Sequence, residues 1–446
     1  MSSIKLKTIN PSWQRYLLRL GIVFLILLTI PIQGDFYSTL FQISWTYLVS
    51  DLFNLVLYLP HFFASYSTFY DWFIILGISI IVSWIWFKRS NNDQEKENFL
   101  FYLLRIFARY RLASILFVAG FTKLFAIFAP DLSLSHLNTG YGYFENWKQL
   151  YLSLSAAPAY LVFLGIVELL SAFLLLFRKT SFLGVIFIIP FYGNVFFADL
   201  AYEGKYFLVP AYIILLTIPI FIYDVKRLGN LIVDFKITQG NRWKFDWSTL
   251  KIGQFIWIPK LLFILLFVVL VGYRSYSISQ SDSLFYPSTK GIEGISGKYN
   301  VDSFVLNGDT LKYSPSDKKR WRDVVFEDWN TLSVRVNDSI KSVQSNRFLS
   351  NEDKFRDYEY SQVGDRLYYR YEPTNNPDEF ILKNPNPNYL NDNYTFKINR
   401  PDSSHISLIG KSLSGDSLEV TLSRINKKYL LEEVKKVGRR KLGFKL

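Results

Sequence analysis

Apolar runs separated by short charged segments dominate the chain up to Arg274. Seven runs are long enough to cross the hydrocarbon core of a bilayer, which takes roughly 17–25 mostly apolar residues. They cover residues 17–34, 71–87, 112–129, 158–177, 181–198, 206–223 and 257–273. The pattern therefore predicts a mainly α polytopic membrane helix bundle with seven spans.

The segment 36–70 is a special case, because it is aromatic and contains no Lys or Arg. Asp51, Asn54 and Pro60 interrupt its apolar character. We interpret it as an interfacial or re-entrant helix. A pair of short membrane helices is the alternative, which would raise the count to eight or nine spans.

Beyond Arg274 the apolar runs stop, and residues 296–424 alternate between polar and apolar positions. This period of two, with Asn, Asp and Gly at the turns, predicts about eight to ten strands joined by hairpins. Three hairpin turns are expected, at Asn337-Asp338, Gly364-Asp365 and Gly415-Asp416. Sequential hairpins favour an all-β, lipocalin-like barrel or meander domain.

A small barrel holds either packed side chains or one small ligand. A run of tyrosines bears on this choice: Tyr358, Tyr360, Tyr368, Tyr369 and Tyr371. They would either line a ligand pocket or alternate between core and surface, and we favour alternation. The basic C-terminal tail predicts an amphipathic helix that lies on a membrane, caps the barrel or contacts a protein partner.

Composition excludes several kinds of chemistry. The chain has no cysteine and only three histidines, His61, His136 and His405, which are far apart. Disulfides, thiolate metal sites and CxxC redox motifs are therefore ruled out, and a metal site built on histidine is not expected. We identify no catalytic or metal-ligating residues.

The net charge of +13 raises the question of nucleic-acid binding. Much of the excess lies beside predicted spans, for example at Lys88, Arg89, Arg178 and Lys179. Basic residues at such positions orient a membrane protein, so we expect contact with the lipid bilayer and no nucleic acid. Other membrane or envelope proteins are further candidate partners.

The same charges predict the topology. Each loop assigned to the inner face carries a basic cluster, which places the N-terminus on the inner, cytoplasmic side and the C-terminal domain on the outer side. The expected domains are N-terminal spans (1–99), a four-helix core with an inner basic loop (100–256), a last span (257–274) and an extracytoplasmic β-domain with a basic C-terminal helix (275–446).

Two charges lie inside predicted spans, where charge is costly. At 1.5 Å per residue, Lys123 is roughly 18 Å above the inner boundary and Glu168 roughly 15 Å, so the two can pair. Asn194 lies slightly higher, near enough for a predicted hydrogen bond to one of the two, and Asp199 is at the outer mouth. A structural ion pair is our first interpretation. The alternatives are a ligand-binding pocket of Lys123, Glu168 and Asn194 for a small ligand, a quinone head group or a lipid, and a Lys123 that reaches the outer interface.

Residues 100–230 resemble the DoxX-like family of four-helix membrane proteins. The resemblance rests on G-x-x-K-L at 120–124, Pro158, the stretch "LGIVELLSAFLLLFRKTSFLG" and Asn194. Patterns at 307–321 and 408–424 resemble larger Bacteroidota-type members, which have extra spans and a C-terminal β-domain. The resemblance implies the four-helix fold. It also implies association with thiosulfate:quinone oxidoreductases, with maturation of amine dehydrogenases or with membrane integrity.

We therefore expect a non-enzymatic, multi-pass protein of the bacterial inner (plasma) membrane. It would be a subunit or accessory factor of a larger assembly of the cell envelope and would present its β-domain in the periplasm. A quinone-linked oxidoreductase subunit is the first alternative, with quinone as the one compatible cofactor, although the cysteines of a thiol-based role are missing. A small-molecule or lipid transporter is the second, for which the sequence shows no inverted repeat.

Overall fold

A computed structural model describes residues 12–90, 93–129, 131–204, 206–236, 255, 257–280, 287, 289–341, 359, 364–376 and 378–437. The chain forms two compact units. The helical unit consists of Met1–Phe128 and Ala159–Ser277, and the barrel unit consists of Ala129–Pro158 and Ile278–Leu446.

The described residues contain thirteen α-helical segments, several of them short. In chain order they are α1 (Ser12–Leu27), α2 (Gly34–Phe41), α3 (Leu48–Val56), α4 (Phe69–Arg89), α5 (Gln94–Leu124), α6 (Leu134–Leu137), α7 (Asn146–Ser155), α8 (Pro158–Leu176), α9 (Ser181–Ala201), α10 (Leu208–Ile232), α11 (Trp257–Ile264), α12 (Val271–Ser279) and α13 (Leu430–Val437). A π-helix, Leu265–Leu270, joins α11 to α12.

Five helical stretches are long and apolar enough to cross a membrane: α4, α8, α9, Leu208–Val225 of α10 and Trp257–Ser279. Each coincides with a predicted span, and the protein is an integral membrane protein. Large apolar side chains on their outer surfaces are exposed, as contact with lipid requires.

Two predicted spans differ from the structure. The run 17–34 is helical only to Leu27, because Pro31 lacks the N–H that would continue the helix. The run 112–129 belongs to α5, which begins at Gln94 and ends at Leu124. Residues 99–111 therefore form one continuous helix with the first part of this run. The centre of α5, from Leu112 to Val118, is buried among its neighbours.

The segment 36–70 forms two short helices, α2 and α3, instead of one. Most residues of α3 are buried, and this helix packs against α5. A helix that lies only on a surface would leave one side open. The prediction of one helix over 36–70 is therefore wrong, and the segment forms a pair of short helices, as the alternative predicted.

Nine strands lie within the described residues of the barrel unit. They are β1 (Gly297–Leu306), β2 (Asp309–Thr310), β3 (Asp323–Phe326), β4 (Thr331–Arg335), β5 (Arg366–Pro373), β6 (Glu379–Lys383), β7 (Tyr394–Asn399), β8 (His405–Ser412) and β9 (Ser417–Arg424). All neighbouring pairs are antiparallel, in the order β1-β3-β4-β5-β6-β7-β8-β9, and β9 pairs with β1. These eight strands close an up-and-down barrel. β2 pairs with Val305 and Leu306, at the end of β1 that does not pair with β3. The predicted all-β barrel is confirmed.

The hairpin predictions have mixed outcomes. The turn at Gly415-Asp416 joins β8 to β9, as expected, and Gly415 has a φ of +93° that suits glycine. The hairpin at Asn337-Asp338 is wrong, because β4 pairs with β3 and β5. The other arm of the predicted hairpin at Gly364-Asp365 lies outside the described residues, and β5 itself pairs with β4 and β6.

Side chains fill the barrel interior. The core includes Phe304, Trp321, Phe326 and Phe396, all buried. Tyr369 and Tyr371 point into this core, whereas Tyr368 lies on the outer face. The interpretation of the tyrosines as alternating strand positions holds for these three residues. Tyr358 and Tyr360 lie outside the described residues.

Candidate functional site

Two glycines bring α5 and α8 into backbone contact. A Cβ atom on Gly165 would come 2.5 Å from the amide nitrogen of Leu124 and 2.8 Å from the carbonyl oxygen of Gly120. A Cβ atom on Gly120 would come 3.2 Å from the amide nitrogen of Leu169. Small residues allow membrane helices to approach this closely.

The predicted ion pair lies one helical turn from this contact, because Lys123 follows Gly120 by three residues and Glu168 follows Gly165 by three. Lys123 Nζ donates to both carboxylate oxygens of Glu168, at 2.8 and 2.9 Å. The side chains are 13% and 1% exposed, respectively. The pairing deduced from helix depth is therefore present in the structure.

A tyrosine completes the pair. Tyr192 of α9 donates its hydroxyl to Oε1 of Glu168 at 2.7 Å. The Lys123 ammonium also lies 4.9 Å from the centre of the Phe128 ring, a distance suited to a cation–π contact. Three helices thus meet at one carboxylate, and each of its oxygens has a donor.

Asn194, the third predicted site residue, does not join this cluster. Its side chain is exposed. It follows Tyr192 by two residues, which places it about 200° around the helix at 3.6 residues per turn. The prediction that Asn194 would hydrogen-bond the pair is wrong. Asp199 is close enough to be influenced by the Lys123 charge.

The helical unit contains a second buried ion pair that sequence reasoning missed. Arg19 of α1 pairs with Glu97 of α5, and both side chains are almost fully buried. Arg19 also donates to Ser90 Oγ at 3.1 Å. In the sequence, an arginine in an apolar stretch is one signal of this pair. Its partner gives no signal, because Glu97 lies in a polar segment typical of a loop.

Another arginine of α5 holds the end of α8. Arg109 donates from Nε to the carbonyl oxygen of Leu175 and from Nη2 to that of Leu176, both at 2.9 Å. The last carbonyl groups of a helix lack partners within the helix, so this contact satisfies them. This basic residue of α5 therefore binds a neighbouring helix.

In the barrel unit, the outer face of β3, β4 and β5 carries a buried polar layer. Its residues form three rows across the strands: Asp323, Arg335 and Arg366; Val325, Ser333 and Tyr368; and Glu327, Thr331 and Arg370. A sheet face lined with charges normally faces water. Here the segment Ala129–Pro158, hereafter the α5–α8 loop, covers it.

The first contact of this loop is made by α6. The backbone N–H groups of Leu134 and Ser135 donate to the two carboxylate oxygens of Glu327, at 3.0 and 2.8 Å. The Ser135 hydroxyl also contacts Glu327 and lies 2.6 Å from Ser333 Oγ. His136 Nε2 lies 3.1 Å from the carbonyl oxygen of Glu359. These contacts are buried.

The second contact lies at the other end of the layer. Tyr143 accepts a backbone hydrogen bond from Gly364 at 2.9 Å, and its ring lies 4.7 Å from the guanidinium carbon of Arg335. Phe144 packs on Tyr368, with Leu152 beside them. The loop is thus held by polar contacts around a small apolar centre.

Ion pairs balance most of the charges in the layer. Arg366 donates to Asp323 at 2.6 Å, and Arg370 donates to Glu359 at 2.8 Å. Burial, with a smaller contribution from the neighbouring Glu359, raises the pKa of the Glu327 carboxyl from 4.5 to about 7. The sequence did not reveal this layer, because nothing marks the outer face of β3 to β5 as covered.

Comparison with known proteins does not add an identity. No protein-family model matches the chain. No curated protein and no solved structure matches it either.

Proposed function

We propose that this protein is a non-enzymatic component of the bacterial cell envelope that holds a folded β-barrel on one side of the inner membrane. The barrel would act by contacting other membrane or envelope proteins in a larger assembly. The observation that carries the proposal is that the α5–α8 loop and the barrel form one compact unit.

A loop and a domain that fold together lie on the same side of a membrane. The topology predicted from the charges independently assigns the loop and the barrel to the outer side of the inner membrane, which faces the periplasm. The buried contacts of Glu327 with Leu134 and Ser135 tie the barrel to the loop. We infer that two segments connect the barrel to the membrane part of the chain, namely the α5–α8 loop and α12.

The Lys123–Glu168 pair fits a structural role in this proposal. Its carboxylate is 1% exposed, and both oxygens already have donors within the protein. A quinone head group would have to displace one of these contacts. We therefore favour a helix-packing role for the pair over a quinone-linked reaction.

We also propose that the helical core is DoxX-like. The supporting observation is local: G-x-x-K on α5 and the mid-helix glutamate of α8 carry the resemblance, and these residues contact one another. This proposal concerns the fold only, because one fold can support unrelated functions.

The experiment is affinity purification of the tagged full-length protein from crosslinked membranes, with the bound lipids and quinones extracted in parallel. The expected result is a stable protein partner, lost when the barrel is deleted, and no enriched quinone. A stoichiometric quinone that disappears in Lys123→Met would instead support the oxidoreductase alternative. Purification without any partner would contradict the proposal.

A further inference from the structure

Glu327 differs from the other acids of the polar layer, because no Lys or Arg within the described residues forms an ion pair with it. Asp323 has Arg366, Asp365 has Arg335 and Glu359 has Arg370. Glu327 is 1% exposed, and its hydrogen-bond donors all come from residues 134 and 135 of the α5–α8 loop. An acid that depends on one segment for its partners is affected directly when that segment leaves.

The titratable groups around Glu327 come from every element packed against it. They are Glu359, Arg370, His136, Tyr368, Tyr371 and Tyr429. Arg370 already forms an ion pair with Glu359 and a hydrogen bond with Thr331, so Glu359 largely neutralises its charge. Burial raises the pKa of Tyr368, Tyr371 and Tyr429, so these phenols stay neutral near pH 7.

His136 is hydrogen-bonded through both ring nitrogens. Its Nδ1 accepts the backbone N–H of Ser133 at 3.3 Å, and its Nε2 lies 3.1 Å from the carbonyl oxygen of Glu359.

We propose that Glu327 is an acid-tightened latch that couples attachment of the α5–α8 loop to the pH on the barrel side of the membrane. The structure shows the docked state, in which the loop buries the carboxyl, and an undocked loop would leave the carboxyl in water. Burial of a carboxyl without a cation favours its neutral form, and this effect outweighs the hydrogen bonds from Leu134 and Ser135, which favour the charged form.

The direction of the pH dependence follows from linkage. The docked carboxyl has a pKa raised to about 7, against 4.5 in water, so the docked state binds a proton more tightly. Docking is therefore strongest below about pH 4.5, weakens as the pH rises to 7 and then levels off. Between pH 5 and pH 8, linkage predicts a change in the docking equilibrium of roughly ten- to a hundredfold.

Val325 provides a reporter for undocking. It is fully buried on the outer face of β3, against which α6 packs. Because the chain has no cysteine, Val325→Cys creates a single thiol. The rate at which a reagent modifies this thiol is measured in the full-length purified protein at each pH. Dividing it by the rate for an exposed Ser414→Cys corrects for ionisation of the thiol itself.

We expect the corrected rate to rise at least tenfold from pH 5 to pH 8, and to become independent of pH when Glu327→Gln is added. Glu372→Gln removes an exposed acid paired with Lys383 and is the matched control, which should keep the rise. A corrected rate that is flat in the background without the Glu327 substitution, or one that falls from pH 5 to pH 8, would overturn the proposal.

A second measurement does not depend on the folding of Glu327→Gln. Amide hydrogen exchange at Leu134 and Ser135, corrected for the intrinsic effect of pH, should speed up over the same range in the protein without substitutions. Unchanged protection of these two amides between pH 5 and pH 8 would also refute the latch.

Discussion

Gly165 of α8 lies against the backbone of Leu124 of α5, where even one added methyl group would come 2.5 Å from the amide nitrogen. The neighbouring atoms are backbone atoms, which cannot rotate away as a side chain can. This contact sets the distance between α5 and α8 and so places Lys123 within reach of Glu168.

The first prediction concerns this contact. Gly165→Ala should destabilise the helical unit by about 1–3 kcal/mol, since the added methyl group forces two helices apart. Gly193→Ala is the control, because nothing lies within 4 Å of a Cβ atom there. Thermal unfolding of the two variants in detergent measures the effect. Equal melting temperatures would show that the helices are not in backbone contact.

The second prediction concerns the ion pair. Lys123→Met alone or Glu168→Gln alone leaves one buried polar group without its partner, at a cost on the order of 3–5 kcal/mol. Each single variant should lower the amount of folded protein in the membrane, and the double variant should recover most of it. A double variant as poor as the sum of the singles would mean that the two residues do not interact.

The third prediction separates Tyr192 from Asn194. Tyr192→Phe removes one hydrogen bond to the Glu168 carboxylate and should cost about 1.5–3 kcal/mol, as for other hydrogen bonds to charged groups. Asn194→Ala should change stability little, because that side chain is exposed. Thermal unfolding in detergent is again the measurement. The reverse order would restore Asn194 as the partner of the pair.

The fourth prediction tests the topology. Single cysteines are introduced at Ser339, which is exposed in the barrel unit, and at Lys96, whose side chain is 75% exposed at the start of α5. An impermeant thiol reagent should modify the first and not the second once the outer membrane is permeabilised. The opposite labelling would place the barrel in the cytoplasm.

The fifth prediction tests the cover on the barrel. Residues 287–446 should show a strand-dominated circular dichroism spectrum, because every barrel strand lies within them. Adding residues 131–157 through a flexible linker should raise the melting temperature, since burial of an aromatic side chain such as Phe144 contributes roughly 1.5–3 kcal/mol. Two identical melting temperatures would contradict docking of the loop.

Much of the fold could be predicted from local patterns. Apolar runs of bilayer length are visible without tertiary information, because lipid requires a continuous apolar segment. Strand alternation predicted the barrel for a similar reason, since one side of each strand faces the core. Even the Lys123–Glu168 pair was accessible, because helix rise converts sequence position into depth.

The remaining features depend on contacts between distant segments. Tyr192, and not Asn194, reaches Glu168 because rotation of α9 about its axis decides which of two nearby polar residues faces α8. Glu327 carries no local mark in the sequence, and it is buried only because the α5–α8 loop folds back onto β3. The sequence thus determined most of the elements and the relative depth of the charged residues along them. Tertiary packing decided the rotation of the helices and the cover on the barrel, because neither of these two features follows from local periodicity.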